Sequence, residues 1–193
     1  YTQGTTYYVW VRDDAGNISE SMTTTTEKVA GLTNANTSIE NSTTTWTNQD
    51  VTVKANSELA QNGFTIQTSQ DGGKTWQDSE TQVLTGNGFV LVRLVDSTGQ
   101  YANGWATANV ENIDKTKPVV GEVTTTTNSI HIKATDEASG IIGYTVTTTN
   151  QVPSEFTSCS NTKNLDVTVG QRIQGTTYYV WVKDEAGNIS LSS

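Results

Sequence analysis

The sequence predicts an all-β chain: two tandem sandwiches of short strands, preceded by the closing strands of a third. Three observations lead there. Residues 3–19 read QGTTYYVWVRDDAGNIS and residues 174–190 read QGTTYYVWVKDEAGNIS, so one segment returns after 171 residues (174 − 3) with only Arg12/Lys183 and Asp14/Glu185 exchanged. That offset suits two domains of ordinary size better than one short repeat. Apolar and polar residues alternate over short stretches along the chain, and none has the three-to-four-residue spacing of an amphipathic helix. Turn residues separate the stretches: Gly72-Gly73, Gly86-Asn87-Gly88, Ser139-Gly140 and Gly187-Asn188.

In chain order, residues 1–22 read as the terminal strands of a preceding repeat. Alternation turns Tyr7, Val9 and Val11 to one face and Tyr8 and Trp10 to the other. Without a sandwich of their own, these residues are expected to order only against a partner chain or a packing neighbour. The alternative is an exchanged segment that pairs in place of residues 174–193 of another chain, since near-identical segments invite swapping. Residues 23–114 form the first complete domain. Its strands include the alternating Val51-Thr52-Val53-Lys54-Ala55 and the more continuously apolar Phe89–Val95. Residues 112–118 are the linker, where Pro118 lacks a donor and favours extended entry into an edge strand. Residues 115–193 form the second complete domain, with Ile130-His131-Ile132-Lys133-Ala134 as one strand and Tyr178–Val182 as another.

Within that last strand, Tyr178, Val180 and Val182 should face the core, and Tyr179 and Trp181 the solvent. The two domains also resemble each other. VTVKANSE (51–58) parallels IHIKATDE (130–137), and LVDSTGQ (94–100) parallels VKDEAGN (182–188), setting Asp96 opposite Asp184 and Gly99 opposite Gly187. Thr runs at 23–26, 43–45, 124–127 and 147–149 suit exposed strands, because β-branched residues favour extended backbone.

Composition removes several function classes. Twenty acidic residues against eleven basic ones leave a net charge of −9, and the basic residues form no patch. Such a surface repels phosphate backbones, so nucleic acid is excluded as a partner. No apolar run is long enough to span a membrane. Cys159 is the sole cysteine, so no internal disulfide is possible, and it reads as a small buried hydrophobe. His131 is the sole histidine and alternates with Ile130 and Ile132, which places it on the solvent face. One histidine does not make a zinc site of the usual kind, and no nucleophile motif accompanies it.

GTTYYVWVKDEAGNIS resembles the penultimate strand and final hairpin of fibronectin type III and bacterial immunoglobulin-like domains, with their alternating Tyr-x-Val-x-Val and Asp-x-x-Gly-Asn. NIDKTKPVV resembles the linker that opens such domains in bacterial surface proteins, and TWTNQDVTVKA and SQDGGKTWQ resemble segments of the same tandem repeats. The resemblance implies two tandem immunoglobulin-like β-sandwiches, an extracellular or bacterial cell-surface setting, and no enzyme activity. The expected role is a structural spacer, stalk or fibre-forming repeat that projects an adhesive or catalytic head. Its partners would be neighbouring repeats of the same chain or like chains. Alternatives are a module binding a glycan or host protein, or accessory domains of an extracellular glycoside hydrolase.

The candidate ligand-binding residues are the aromatics Tyr179, Trp181, Trp76 and Trp105, which would stack on a sugar ring or a partner surface. The competing reading is that they cover a sheet face. Ser69–Trp76 (SQDGGKTW) matches the Asp-box hairpin that sialidases repeat once per blade, where Asp accepts from the turn backbone and Trp anchors the loop. Arg12, Arg93 and Arg172 would suffice in number for a carboxylate-binding triad, but they sit in framework segments.

No cofactor is required by this reading, although the Asp-x-x-Gly turns raise calcium. That ion needs about six to eight converging oxygens. Asp114 and Glu137, near the domain junction, are the candidate ligands, ahead of the hairpin tips Asp13, Asp96 and Asp184. A Lys–Asn crosslink of the kind found in Gram-positive surface domains would need a desolvated lysine. Lys54 and Lys133 alternate outward and do not supply one.

Overall fold

A computed structural model of the chain describes residues 6–25, 37–58, 60, 63–97, 99 and 104–192. The described residues form strands and turns with no α-helix, in keeping with the period-two alternation. Thus no helix is long and apolar enough to cross a membrane. Residues 3–5 of the first repeat copy and Thr26 of the first Thr run lie outside the described residues. The chain divides into two compact units that are discontinuous in sequence. One draws on Tyr1–Ile39, Ala55–Glu80 and Val90–Ala108, the other on Glu40–Lys54, Thr81–Phe89 and Asn109–Ser193.

Strands β1 (Thr6–Val9) and β2 (Met22–Thr25) make a two-stranded antiparallel sheet. The hairpin closes on its own turn, and Val9 and Val11 remain exposed in it. The tip supplies the reason. Asp13 Oδ1 accepts from the Asn17 N–H at 2.8 Å, the Gly16 N–H donates to Asp13 O at 3.0 Å, and Gly16 takes φ +93°. A turn closed by its own side chain needs no sandwich beneath it.

Strands β3 (Thr37–Asn41), β4 (Val51–Ser57), β5 (Phe64–Ser69), β6 (Gln77–Asp78), β7 (Thr81–Leu84), β8 (Gly88–Asp96) and β9 (Ala106–Val110) follow. They join as sheets of order β3-β4-β7 and β6-β5-β8-β9. Val51, Val53 and Ala55 of β4 are buried and Lys54 is exposed, as alternation predicts. Val90, Leu91, Val92 and Leu94 of β8 are all buried, which matches a strand covered on both faces.

Strands β10 (Val119–Thr125), β11 (Ser129–Thr135), β12 (Ile141–Thr147), β13 (Thr157–Thr162), β14 (Asn164–Gly170), β15 (Tyr179–Asp184) and β16 (Ile189–Leu191) repeat both orders, as β10-β11-β14 and β13-β12-β15-β16. Their inner faces meet in an immunoglobulin-like β-sandwich. Ala134, Ile141, Leu165 and Val182 form one buried cluster, with Cys159 half-buried at its margin. Ile130, Ile132 and Val180 form another. Each fully buried Val, Leu or Ile contributes about 1.5–3 kcal/mol of hydrophobic stabilisation before entropy is subtracted. Tyr178 packs on the second cluster and its hydroxyl accepts from the Ile173 N–H at 2.8 Å.

One expectation about faces fails. Alternation alone predicts Trp181 on the solvent side, yet it is 5% exposed. Alternation assigns the face correctly, since Val180 and Val182 enter the core. The other face, however, is not bare. Thr145 and Leu191 flank Trp181 across the sheet, and its Nε1–H donates to Thr147 Oγ1 at 2.9 Å. Tyr179 is half-buried on the same face.

Candidate functional site

The pairing register builds one acidic site at one end of the second sandwich. β11 ends at Thr135, so Asp136 opens the turn into β12. Ile141 at the start of β12 pairs with Asp184 at the end of β15, which sets Asp184 beside that turn. Val119 at the start of β10 pairs with Thr135, which brings the preceding linker, and Asp114 with it, to the same place. All three aspartates are buried, and each offers a carboxylate oxygen within 4.8 Å of the other two. Glu137, the expected partner of Asp114, is exposed and outside the group. Asp184, set aside as a remote hairpin tip, is the most deeply buried of the three.

Backbone and amide donors hold these carboxylates. Asp114 Oδ2 accepts from the Ser139 hydroxyl at 2.6 Å and the Ser139 N–H at 3.1 Å, and Oδ1 accepts from the Thr116 N–H at 2.9 Å. Asp136 Oδ1 accepts from the Gly140 N–H at 2.7 Å. Asp184 accepts from the Asn188 N–H and Nδ2, both at 2.7 Å. The same Asn188 Nδ2 reaches Asp114 O at 2.9 Å, and the Asp114 N–H donates to Thr47 O at 2.9 Å. Gly140 fits here because φ is +83° and a Cβ would lie 2.1 Å from Asn161 Oδ1. The linker, the β11–β12 turn, the β15–β16 turn and the Thr47 loop are thus joined through one carboxylate group.

The arrangement concentrates charge. Like charges this close repel by about 3 kcal/mol per pair at an effective dielectric of about 20. Ion pairs lie away from this group, Lys115 with Asp50 and Lys133 with Glu122 among them. Burial pushes the Asp184 carboxyl above the usual range, with smaller upward pushes from Asp114 and Asp136, while the Asn188 bonds pull the other way. Such a group favours a proton or a cation. Asp114, Asp136 and Asp184 are the residues that would hold a hard divalent ion.

The aromatic candidates separate. Trp76 is half-buried, donates from Nε1 to Gly73 O at 2.9 Å, and lies under the Arg93 guanidinium at 4.1 Å. It anchors its own hairpin. Asp71 accepts there from the Thr75 hydroxyl, the Thr75 N–H, the Ser69 hydroxyl and the Lys74 N–H, and these bonds hold its carboxyl well below the usual range. Trp105 is 61% exposed. Two arginines are engaged in framework, Arg93 donating also to Gln67 Oε1 at 2.8 Å and Arg172 to Thr126 O at 2.7 Å, while the backbone of Arg12 forms a β-bridge with Ile18. His131 Nε2 lies 2.6 Å from Asp166 Oδ1.

No family model matches the chain, and no curated protein matches it. Among solved structures it is similar to the human OSCAR ligand-binding domain, at 12% identity and a TM-score of 0.36, over 80% of this chain and 93% of that one.

Proposed function

We propose that the chain is a structural segment of a bacterial surface or secreted protein. In this reading, tandem immunoglobulin-like repeats of the fibronectin type III kind space a binding or catalytic head, and do no chemistry themselves. The recurrence of strand order carries the proposal. β3–β9 and β10–β16 show the same pair of sheet orders, and residues 8–19 carry a further copy of the sequence of residues 179–190, with two charge-conserving exchanges. Units that recur with their topology intact suit a role defined by length. A ten-residue strand spans about 33 Å, so each sandwich adds roughly that much. Small-angle X-ray scattering tests this reading: an elongated particle supports it, and a compact globule sinks it.

Exposed aromatics favour a second reading, a module that binds a glycan or a host protein. Trp105 stands out from the surface, and the Tyr8 and Trp10 rings stack at 6.0 Å and 24°. Loss of ligand on Trp105→Ala, with the circular dichroism spectrum unchanged, would separate this reading from the first.

A cation, if one is taken up, belongs to the first reading, where Asp114, Asp136 and Asp184 would use it to fasten the linker to the sandwich. Binding to the folded state alone raises stability by mass action. Calcium should therefore raise the melting temperature over that in chelator, and Asp136→Asn should cancel the rise. Equal melting in both would reject calcium.

A further inference from the structure

The two copies of the repeated segment share the structure of their turn and differ beyond it, since residues Tyr179–Asp184 form one strand whereas the strand of the first copy stops at Val9. In the first, Asp13 Oδ1 and Oδ2 accept from the Asn17 N–H and Nδ2, both at 2.8 Å. In the second, Asp184 accepts from the Asn188 N–H and Nδ2, both at 2.7 Å. The Asp13 N–H donates to Asn17 O at 3.0 Å, and the Asp184 N–H to Asn188 O at 3.1 Å. Gly16 and Gly187 take φ +93° and +97°. Beyond the tip the environments part. Val9, Trp10 and Val11 are 51%, 57% and 68% exposed, while Val180, Trp181 and Val182 are 2%, 5% and 0% exposed.

The first hairpin is therefore shaped for a slot, and that slot is described by the second copy. β15 lies between β12 and β16, with Val182 opposite Tyr144 and Val180 opposite Val146. The two differences between the copies keep the slot's chemistry. Lys183 lies 5.8 Å from the Phe156 ring, and Arg12 is also a cation able to sit on an aromatic face. Glu185 accepts from Asn161 Nδ2, and Asp14 offers a carboxylate one methylene shorter. Asp13 would bring to the acidic cluster the same carboxylate that Asp184 does.

We propose that residues 6–19 are an exchangeable copy of residues 177–190, and that their partner is the β12 edge of the sandwich in a second copy of this chain. Docking there buries Val9 and Val11 where Val180 and Val182 now lie. Exchange swaps one segment for its near twin, so contacts are conserved and occupancy is decided by competition. The tethered resident holds the slot in the unaltered chain. The hairpin of another chain enters when the resident is weakened. This inference stands apart from the spacer reading, because a binding module would carry the same exchange.

The test weakens the resident in the full chain and follows mass by light scattering. Val182→Asp places a charge in the core slot and leaves the first hairpin intact. The variant is expected to assemble into dimers or longer species, and Val11→Asp/Val182→Asp to remain monomeric. A monomeric Val182→Asp chain overturns the proposal, as does equal association of both variants, which would show contact through some other surface. If Val182→Asp loses its fold, Val182→Ala is probed with a labelled synthetic peptide of residues 3–19. Uptake faster than by the unaltered chain, and lost when the peptide carries Val9→Asp and Val11→Asp, supports exchange. Equal uptake of both peptides, or none, refutes it.

Discussion

The Ser139 hydroxyl donates to Asp114 Oδ2 at 2.6 Å, across 25 residues of sequence, and both residues are buried. A neutral donor on a buried carboxylate contributes about 1.5–3 kcal/mol. Ser139→Ala should therefore destabilise the second sandwich by that amount, although the Ser139 N–H bond to the same oxygen remains. Urea titration followed by Trp181 fluorescence reads the loss. An unchanged midpoint would mean that water replaces the hydroxyl.

The raised carboxyl of Asp184 fixes the sign of a pH effect. A folded-state value above the unfolded one means that the native state binds more protons between the two. Stability from this group is full below the ordinary aspartate range and falls as pH rises through the raised folded value. Asp184→Asn should flatten that slope. The lowered carboxyls of Asp71 and Asp166 act oppositely, losing their contribution as pH falls through their folded values. Carbon-detected NMR titration of the aspartates separates the two sets.

Val182 and Val11 are the same residue in the same local sequence. Removing two methyl carbons from the core costs about 2 kcal/mol once the cavity is included. Val182→Ala should lower stability by that amount, while Val11→Ala, on an exposed strand, should stay within about 0.5 kcal/mol. Chemical denaturation of the two single variants gives the comparison directly. Equal effects would mean that Val11 is buried in solution.

Asp71 gathers the donors of its hairpin, so Asp71→Ala should leave the Lys74 and Thr75 amides open to solvent. Hydrogen exchange at those two amides should speed up, while exchange in β8 stays slow. Slow exchange throughout would show that Trp76 under Arg93 holds the turn without the carboxylate.

Alternation along β4, β11 and β15 carried the strands and their core faces, because the pleat gives each residue a side whatever surrounds it. It did not carry the cover over Trp181, which depends on Thr145, Thr147 and Leu191. The acidic site was half legible. Asp114 was readable from its place beside the linker. Asp136 and Asp184 were not, because the pairing of Ile141 with Asp184 brings them together and no local pattern states that pairing. A usable signal existed in strand direction: aspartates closing two strands that run the same way must end at the same pole of the sandwich. Glu137 adjoins Asp136 in sequence, and only Asp136 joins the buried group.

The Asn188 bond to Asp114 O has a counterpart a few residues on, where the Ser190 hydroxyl donates to Pro118 O. The first and last strands of the second sandwich are thereby latched near the points where a pulling force would enter. Tension applied between residue 114 and residue 192 loads these bonds together and early, before it reaches the buried valines. The latch would thus set the rupture force of the second sandwich. Because its anchor is a carboxylate group that favours a proton or a cation, that force should vary with the acidity and ion content of the surrounding fluid.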